Sequence, residues 1–595
     1  MINALDSLLP NQRDAVLSYM PIAGDINKQL KEATDKAIKR GDSLYLPAGL
    51  WLIKADNGTV PLSGWHINVL DNKSLLVFGD GDATIIRREA TLQMQPTSAL
   101  AWITANSGIN LSFQNLLFDG NEANCPTDQG FTFPGDGITT QFNYPMVSEA
   151  AEKGFTVTFI KNSVESIQNN DLFIFSGNYP NRFIKFTTAP ANGTTVRLYK
   201  IFAHEQSANL KFLPGSGIPN NITLENIAMT GCVGDGFQTN VKTQSLQVSN
   251  WRSYGRTRRP RADIQLSRIP LQVTNVTNFI GDAIEMEPSD VNAEHIINLN
   301  NMLVRGAFDF AGDKDKQQFA NVYANNVTHL GQFGIGSSVS NFYRIRGEFV
   351  NCRFVNTDRI QNCQIKFNGG TFTVLGKAAQ PTEADGIKIF HNETDNFVEF
   401  NGVAFDVKGT VTSGTYFLKN EAISDIGRET RFINCRAAHK LDYFANANRN
   451  GTMLFDGGQI GGKTAAVLIS HGGSGEVRPE YITRAIIKNP EHWTSTLIEI
   501  KFISSNNSDK VVIEMYGRFN AEVQHPIFNS TSKQNSNIAW IGGFTAAVAN
   551  DPNGRVRGLP GLILRKSEPA SGEIVEWQYK QGKTYASMQY DAVTM

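Results

Sequence analysis

The stretch that decides the fold starts at Ile222-Thr-Leu-Glu-Asn226, and its pattern, apolar-x-apolar-x-Asn, recurs along the chain. The other copies are Leu246-Gln-Val-Ser-Asn250, Leu271-Gln-Val-Thr-Asn275, Ile297-Asn-Leu-Asn-Asn301 and Val322-Tyr-Ala-Asn-Asn326, a weaker Gly347-Glu-Phe-Val-Asn351, and an upstream Leu111-Ser-Phe-Gln-Asn115. From Asn226 to Asn351 the position of the asparagine advances by 24, 25, 26, 25 and 25. Each copy alternates like a short strand, and short strands bury their apolar faces only when copies stack. The period therefore predicts an all-β chain that forms a right-handed parallel β-helix, with stacked asparagines at the turns.

A second short strand follows each copy. We expect its central residues to form an inward stack while their neighbours face solvent; they are Phe237, Ile264, Ile284, Phe310 and Ile335. From Leu246 to Ile264 the chain advances by 18 positions (264 − 246), whereas from Leu271 to Ile284 it advances by 13 (284 − 271). The longer interval predicts a loop around residues 257 to 261, and insertions in stacked repeats often lie on the binding face.

Composition excludes several classes of protein. In 595 residues the formal charge is 55 − 56 = −1, with 41% apolar and 19% charged residues. This balance argues against wholesale disorder and against a nucleic-acid binder that relies on bulk basicity. No apolar run approaches the roughly 20 residues of a membrane span, and no signal peptide is visible. We expect synthesis in the cytoplasm and no membrane insertion.

The five cysteines, Cys125, Cys232, Cys352, Cys363 and Cys435, show no CxxC or Cys/His zinc spacing. We interpret them as buried free thiols in a chain that folds in a reducing cell. The sequence predicts no metal site and no cofactor.

Local patterns divide the chain into three parts. Residues 1–55 hold an N-terminal segment and a capping helix over 25–41, with Asp25 as N-cap, Ile26, Leu30, Ala33 and Ala37 as apolar stripe, and Gly41 as stop. Residues 56–475 form the β-helix, interrupted by an inserted β-rich lobe at about 125–217. After a glycine-rich stretch near His471, residues 476–595 predict a β-sandwich-like C-terminal domain.

Carboxylates cluster beside the second strands of three consecutive repeats: Asp263, Glu285, Glu287 and Asp309. With strands about 4.8 Å apart, the diagonal pairs Asp263/Glu285 and Glu285/Asp309 come out about 8 Å apart between Cα atoms. Side-chain reach brings such pairs into the range of both retaining and inverting glycosidases. We predict that these four residues are the catalytic acids and bases. The alternative is that they only keep this surface hydrated and take no part in catalysis.

The loop beside them is rich in arginine: Arg252, Arg256, Arg258, Arg259, Arg261 and Arg268. Arginine forks suit carboxylates and phosphates, so an acidic ligand is one interpretation, and ion pairing with neighbouring acids or another subunit is the other. Trp251 and Tyr254 either stack on sugar rings or pack between repeats. The predicted substrate contacts are Trp251, Tyr254, Arg259, Arg261, Asp282 and Asp313.

Several segments resemble the pectin-lyase-like β-helix superfamily. They are Asp42-Ser-Leu-Tyr-Leu-Pro-Ala-Gly-Leu-Trp-Leu-Ile53 and Phe113-Gln-Asn-Leu-Leu-Phe-Asp-Gly-Asn121. Ala262-Asp-Ile-Gln265 and Gly281-Asp-Ala-Ile-Glu-Met-Glu-Pro288 resemble bacteriophage tailspike depolymerases in particular. The resemblance spans roughly residues 25 to 470, but the signature motifs of plant-type polygalacturonases and pectate lyases are absent.

The resemblance implies a homotrimer on the virion tail that degrades a bacterial surface polysaccharide, usually by hydrolysis, with Asp263, Glu285 and Glu287 at positions where acid and base often lie. Only a short segment precedes the capping helix, so either the sequence is a piece of a longer protein or it attaches to another tail or baseplate protein through its first residues. Two other readings stay open. One is a lyase, in which Arg259 or Arg261 neutralises a uronate or takes its proton. The other is a non-enzymatic adhesin.

Overall fold

We describe the protein from a computed structural model. It describes residues 1–21, 26–54, 64–70, 72–89, 99–121, 153–158, 195–199, 208–212, 217–231, 235–239, 242–254, 262–266, 271–286, 294–312, 318–331, 339–375, 386–391, 396–409, 416–422, 429–437, 440–449, 451–471, 482–493, 496–502, 510–520, 527–529, 538–541, 544–548, 562–566, 574–580 and 589–594. The chain divides into a first unit, Met1–Ala320 with His329–Ser338, and a second unit, Asn321–Thr328 with Val339–Met595.

The first unit contains two α-helices, a short 3-10 helix at Ala4–Ser7 and eighteen strands in the described residues. The helices are α1 (Pro10–Leu17) and α2 (Asn27–Arg40). The strands are β1 (Ile2–Asn3), β2 (Leu44–Leu46), β3 (Gly49–Ile53), β4 (Trp65–Val69), β5 (Leu75–Arg88), β6 (Ala99–Ala105), β7 (Asn110–Asp119), β8 (Lys153–Thr158), β9 (Thr195–Tyr199), β10 (Ala208–Phe212), β11 (Asn221–Thr230), β12 (Asp235–Thr239), β13 (Ser245–Ser253), β14 (Ile264–Leu266), β15 (Val273–Gly281), β16 (Ile284–Met286), β17 (Ile296–Val304) and β18 (Phe308–Ala311). A further strand, β19 (Ala320–His329), contributes residues to both units.

Two parallel ladders run through the first unit. The first sheet joins β1–β2–β5–β7–β11–β13–β15–β17, with β3 also paired to β5. The second sheet joins β4–β6–β10–β12–β14–β16–β18. Every pair in both ladders is parallel, and from β10 to β18 successive strands alternate between the two sheets. This confirms the predicted parallel β-helix.

The long strands of the first sheet bend at an asparagine in the left-handed region. Asn115, Asn226, Asn250, Asn278 and Asn301 all have φ between 51° and 55°. Their side chains bond along the stack: Asn226 Nδ2 donates to Asn115 Oδ1 at 2.7 Å, and Asn278 Nδ2 donates to Asn250 Oδ1 at 3.1 Å. The predicted ladder of turn asparagines is therefore confirmed.

One member of that ladder was assigned wrongly from the sequence. Val248 pairs with Val276, so the turn partner of Asn250 is Asn278 rather than Asn275. Asn275 instead lies on the strand, where its Nδ2 donates to Gln247 Oε1 at 2.8 Å. Asn275 and Asn278 both follow an alternating apolar stretch. The pairing of β15 with β13 shows that the turn is at Asn278.

The second sheet carries the predicted inward stack with one change of register. Phe237 pairs with Ile264, Ile264 pairs with Ile284, and all three are buried. Ile284 then pairs with Phe308. The predicted Phe310 lies opposite Met286 instead. Both phenylalanines face inward, because they lie two residues apart on one strand. Ile335 lies outside the described residues.

The N-terminal helix forms as expected. Within α2 and directly before it, Ile26, Leu30, Ala33 and Ala37 are fully buried, and Gly41 follows as a left-handed C-cap with φ 66°. Asp25, the predicted N-cap, lies outside the described residues. Burial of this apolar stripe confirms the predicted helix.

The predicted inserted lobe at about 125–217 falls mostly outside the described residues. Within it, β8 and β9 form an antiparallel pair. β10, however, pairs in parallel with β6 and with β12 in the second sheet. The lobe therefore ends before Ala208, earlier than predicted.

The second unit contains the remaining strands and a 3-10 helix at Pro490–His492. The strands are β20 (Ser340–Tyr343), β21 (Ile345–Val350), β22 (Arg353–Val355), β23 (Thr357–Gln361), β24 (Gln364–Asn368), β25 (Thr371–Leu375), β26 (Ile387–His391), β27 (Phe397–Asn401), β28 (Ala404–Lys408), β29 (Tyr416–Ala422), β30 (Glu429–Ile433), β31 (Arg436–Ala437), β32 (Tyr443–Arg449), β33 (Thr452–Asp456), β34 (Ala465–His471), β35 (Ile482–Lys488), β36 (Ile498–Phe502), β37 (Lys510–Asn520), β38 (Ile527–Asn529), β39 (Ile538–Ile541), β40 (Phe544–Val548), β41 (Leu562–Lys566), β42 (Ile574–Lys580) and β43 (Gln589–Thr594).

Parallel pairing continues past the predicted domain boundary at residue 476. One ladder of the second unit joins β21–β24–β27–β30–β33–β35–β37–β39, and another joins β20–β23–β26–β29–β32–β34–β36–β38. Of the described strands in the region that was expected to form a sandwich, only β41, β42 and β43 form antiparallel pairs. The boundary predicted from the glycine-rich stretch is wrong, because both ladders run through it.

Phenylalanines fill the core of the second unit. Phe367, Phe400, Phe432 and Phe455 stack on successive strands, with ring centroids 5.2, 5.3 and 4.9 Å apart. Such pairs add about 0.5–1.5 kcal/mol each beyond the area they bury. At the strand ends, the glycines Gly369, Gly402 and Gly457 share the left-handed turn with asparagines such as Asn434.

Cys352, Cys363 and Cys435 are buried and free, as expected. Burial raises the pKa of Cys352 to about 11 and the pKa values of Cys363 and Cys435 to about 12. These thiols are therefore held protonated and unreactive at neutral pH. Cys125 and Cys232 lie outside the described residues. Of the helices in the described part of the chain, none is long and apolar enough to cross a membrane.

Substitution of Asn278 should separate the turn conformation from the side-chain ladder. Asn278→Ala should cost about 1–3 kcal/mol, because it loses amide bonds and strains a left-handed backbone. Asn278→Gly should cost less than Asn278→Ala, since glycine adopts this conformation freely.

The control is Asn275, which makes similar ladder bonds to Gln247 and Asn298 from a strand. There Asn275→Gly should be more damaging than Asn275→Ala. Thermal unfolding of the four variants measures both differences. If the alanine and glycine variants had the same order of stability at Asn275 as at Asn278, the assignment of the turn to Asn278 would be contradicted.

Buried His295 predicts a loss of stability in acid. Burial lowers its pKa from 6.5 to about 4, and its ring Nε2 lies 3.4 Å from Thr274 Oγ1. The unfolded chain takes up this proton below pH 6.5 but the folded protein only near pH 4. The folded state therefore loses up to about 3 kcal/mol between these values. The melting temperature of His295→Gln should fall less steeply with falling pH than that of wild type. The control is His492→Gln, at an exposed histidine, whose melting temperature should fall with pH as steeply as that of wild type.

Candidate functional site

The outer face of the second sheet in the first unit carries a row of polar side chains. Gln238, Gln265, Glu285 and Asp309 occupy the same register on β12, β14, β16 and β18. The residues on either side of Glu285, Ile284 and Met286, are buried. The alternation of the strand therefore points the four polar side chains away from the core.

Glu285 and Asp309 lie directly opposite each other. The sequence predicted a diagonal separation of about 8 Å, because it aligned Ile284 with Phe310. The pairing of Ile284 with Phe308 instead places the two acidic residues about 4.8 Å apart between Cα atoms. Both side chains are half-buried. Like charges that face each other on neighbouring strands oppose folding.

Two glutamines extend this row. Gln238 Nε2 donates to Gln265 Oε1 at 2.5 Å, and both residues are 3% exposed. The acceptor of Gln265 is thereby occupied, and its Nε2 group is a donor beside Glu285 in register. The row thus combines two half-buried carboxylates with two buried amides, so the expectation that these positions face solvent is wrong for Gln238 and Gln265.

Asp263 does not lie on this outer face. It is fully buried at the turn before β14, where Oδ2 accepts from the backbone N–H of Asp282 and, at 3.0 Å, from that of Ala283. The prediction of an outward Asp263 is wrong because the residue precedes the strand and caps backbone amides of the next repeat. Gly281 leaves room for it, since a Cβ there would clash with Asp263 Oδ2 and with the Phe279 ring.

Asp282 is also turned into the structure. Only 2% of it is exposed, and Oδ1 accepts from Arg305 Nε at 2.5 Å. Arg305 also donates to the carbonyl of Ser253, so this ion pair ties three repeats together. The predicted contact of Asp282 with substrate is therefore contradicted by its burial.

Of the two aromatic candidates, one is buried and the other is exposed. Trp251 is fully buried and stacks on Phe279, with ring centroids 6.2 Å apart and planes at 17°. It packs between repeats, so its prediction as a sugar platform is wrong. Tyr254 is 42% exposed, and burial together with Asp82 raises the pKa of its hydroxyl. It remains a predicted substrate contact.

Four further predicted site residues, Glu287, Arg259, Arg261 and Asp313, lie outside the described residues. Among the described residues, no group of three or more His, Cys, Asp or Glu side chains is placed to hold a metal ion. Of the predicted catalytic residues, the structure brings together Glu285 and Asp309.

The sequence did not reveal a groove of about 500 Å³ in the second unit. Its walls include Tyr323, Arg346, Lys366, Phe397 and Glu399, from strands of the first ladder of that unit and from β19. The signal that could have found it is the pattern Phe-Asn-Gly at Phe367-Asn-Gly369 and Phe400-Asn-Gly402. At both places glycine occupies the turn position that asparagine holds in the other copies, so the apolar-x-apolar-x-Asn pattern does not identify these repeats.

No family model and no curated protein match the sequence. Among solved structures, the chain is similar to the A-module of a mannuronan C-5 epimerase from Azotobacter vinelandii, with 12% identity and a TM-score of 0.30. The alignment covers 92% of this chain and 100% of that chain. The fold of this protein is therefore defined by its own strand pairing.

Stability should distinguish the buried Asp263 from the outward pair. Asp263→Ala should cost about 2–4 kcal/mol, because it leaves two buried amides without an acceptor. Glu285→Ala and Asp309→Ala should cost less than Asp263→Ala, because both of these side chains are half-buried whereas Asp263 is fully buried. Chemical denaturation of the three variants tests this. An Asp263→Ala protein as stable as wild type would refute the capping role.

Proposed function

We propose that this protein is an enzyme that hydrolyses glycosidic bonds of a polysaccharide, with Glu285 and Asp309 as its carboxylate pair. The observation that carries the proposal is their direct apposition on β16 and β18. Glycoside hydrolysis needs two carboxyl groups on either side of one bond, held in unlike environments. A rigid parallel sheet fixes their separation without a loop.

The separation favours a retaining mechanism. Retaining enzymes hold their carboxyl groups about 5–5.5 Å apart, and inverting enzymes about 6.5–9.5 Å. Parallel side chains on strands about 4.8 Å apart can hold their carboxyl groups at the shorter separation. One carboxylate would attack the anomeric carbon while the other protonates the leaving oxygen and later activates water. Gln265, next in register to Glu285, is only 3% exposed, so its amide is placed to donate to the carboxylate rather than to a sugar hydroxyl.

The proposed substrate is a bacterial surface polysaccharide, either capsule, exopolysaccharide or O-antigen. We propose that the protein acts as a homotrimer on a phage tail and contacts another tail or baseplate protein through its N-terminus. The support for this context is the resemblance of residues 262–265 and 281–288 to tailspike depolymerases. Arg252, whose guanidinium lies 2.9 Å from Asp82, is the one member of the predicted arginine cluster among the described residues.

Replacement of the pair tests hydrolysis. The assay uses a bacterial polysaccharide that the wild-type protein cleaves. Glu285→Gln and Asp309→Asn should each lower the release of reducing ends from it by at least about 10²-fold, because each removes a nucleophile or an acid. The matched control is Glu225→Gln, an exposed carboxylate on the first sheet of the same unit. Mass spectrometry of fragments from a panel of capsules and lipopolysaccharides identifies the substrate first.

Three outcomes would contradict the proposal. Products that absorb as unsaturated uronates would mean elimination. Full activity of both variants would place the chemistry elsewhere. Binding without release of fragments from any glycan would make the protein an adhesin.

A further inference from the structure

We propose that the groove of the second unit binds a neutral oligosaccharide through residues that take no part in hydrolysis. The groove is about 500 Å³, a size typical of small-molecule and carbohydrate sites. All its lining residues belong to the second unit, whereas Glu285 and Asp309 belong to the first. The inference goes beyond the proposed hydrolysis and holds equally for an adhesin.

A row of alternating charge runs through the groove. Glu348, Lys366 and Glu399 line it in one register on β21, β24 and β27, and Arg431 follows them on β30. Lys366 Nζ lies 3.7 Å from Glu399 Oε1, and Arg431 Nη1 lies 3.5 Å from Glu399 Oε2. Glu399 is only 8% exposed, so this carboxylate is held in place by cations on both sides.

A second row runs beside it and completes the polar lining. Arg346, Gln364 and Phe397 share one register, and Arg346 Nε donates to Gln364 Oε1 at 2.8 Å. Asn368 Nδ2 donates to Glu348 Oε1. These bonds hold the side chains in one orientation before a ligand binds, which lowers the entropy cost of binding.

The charge balance points to the class of ligand. Two cations, Arg346 and Lys366, face two carboxylates, Glu348 and Glu399, so the described lining has no net charge. A polyanion would gain no net attraction and would compete with existing ion pairs. A chain of hydroxyl groups can instead donate to the carboxylates and accept from the amides and cations without displacing any pair.

Two aromatic rings supply the apolar part of the surface. Tyr323 is 45% exposed and Phe397 is half-buried, and both line the groove. Exposure of a large aromatic ring costs free energy unless a ligand covers it, and a flat ring matches the C–H face of a pyranose. Tyr323 therefore adds a reason for a ligand that ion pairing alone does not give.

The geometry along the stack suits an extended ligand. The lining comes from β19, β21, β24 and β27, four neighbouring strands that span about 14 Å at about 4.8 Å each. Gly347 permits the first of these contacts, because a Cβ there would overlap the carbonyl oxygen of Val322. The groove thus offers repeated polar contacts at an interval close to the length of one sugar.

The test measures glycan binding by the full-length protein. The probes are immobilised hexasaccharides of glucose, galactose, mannose and N-acetylglucosamine, with hexasaccharides of uronic acids for comparison. At least one neutral probe should bind, with an affinity that changes little with salt. Tyr323→Ala and Phe397→Ala should each weaken it roughly two- to tenfold, the loss of one aromatic contact.

The matched control is Tyr516→Ala, a half-buried tyrosine on the same ladder at β37 outside the groove, which should bind as wild type. Circular dichroism checks that all variants fold. Glu225→Gln, which replaces an exposed carboxylate of the first unit, should also bind the probe as wild type does.

Four results would overturn the inference. The first is that the wild-type protein binds no neutral probe, and the second is that both aromatic variants bind with wild-type affinity. The third is that uronate probes bind more tightly than neutral ones and that Lys366→Ala abolishes this binding. The fourth is that Tyr323→Ala changes the molecular mass of the protein in solution but not its glycan binding. The last result would assign the groove to contact between copies of the chain.

Discussion

The fold depends on a sharp bend in each long strand, made by one residue in the left-handed region. In the first unit Asn226, Asn250, Asn278 and Asn301 supply it, and in the second unit Gly369, Gly402 and Gly457 share the role with asparagines. Only glycine and asparagine adopt this conformation cheaply. Asparagine adds side-chain bonds along the stack, whereas glycine brings the backbones together without them. Where the bend repeats at the same point of neighbouring strands, the residues beside it fall into register.

That register decides which side chains can act together. Because pairing is parallel and in register, one residue per repeat forms a straight row, and its neighbours in the sequence face the core. Glu285 and Asp309 meet for this reason, although they belong to successive repeats and are distant in the sequence. Asp263 falls one position before its strand, and this small offset turns it from the surface to two buried backbone amides. The same rule arranges Glu348, Lys366 and Glu399 in the groove.

The sequence predicted the fold well where the turn residue is asparagine. The copies at Asn226, Asn250 and Asn301 were placed correctly, while the copy at Asn275 was misplaced, because the turn is made further along at Asn278. Beyond Asn351 glycine takes the turn at several positions and replaces the asparagine of the pattern, so the groove of the second unit was missed. The candidate site was predicted in part. Alternation identified Glu285 and Asp309 but could not separate a strand residue from a turn residue, nor show that Trp251 packs on Phe279. Those distinctions depend on contacts between repeats, which no local pattern contains.

The two outer surfaces differ in a way that bears on function. In the groove of the second unit, signs alternate along the row, so each charge is attracted by its neighbours and the row stabilises the stack. On the second sheet of the first unit, two acidic residues instead face each other in the same register. Stability alone would select the first arrangement at both places. Two carboxyl groups side by side on rigid strands are the arrangement that acid–base chemistry requires, because one group must donate a proton and the other must act as a carboxylate. The direct register of Glu285 and Asp309 is thus the strongest physical reason to look for catalysis there.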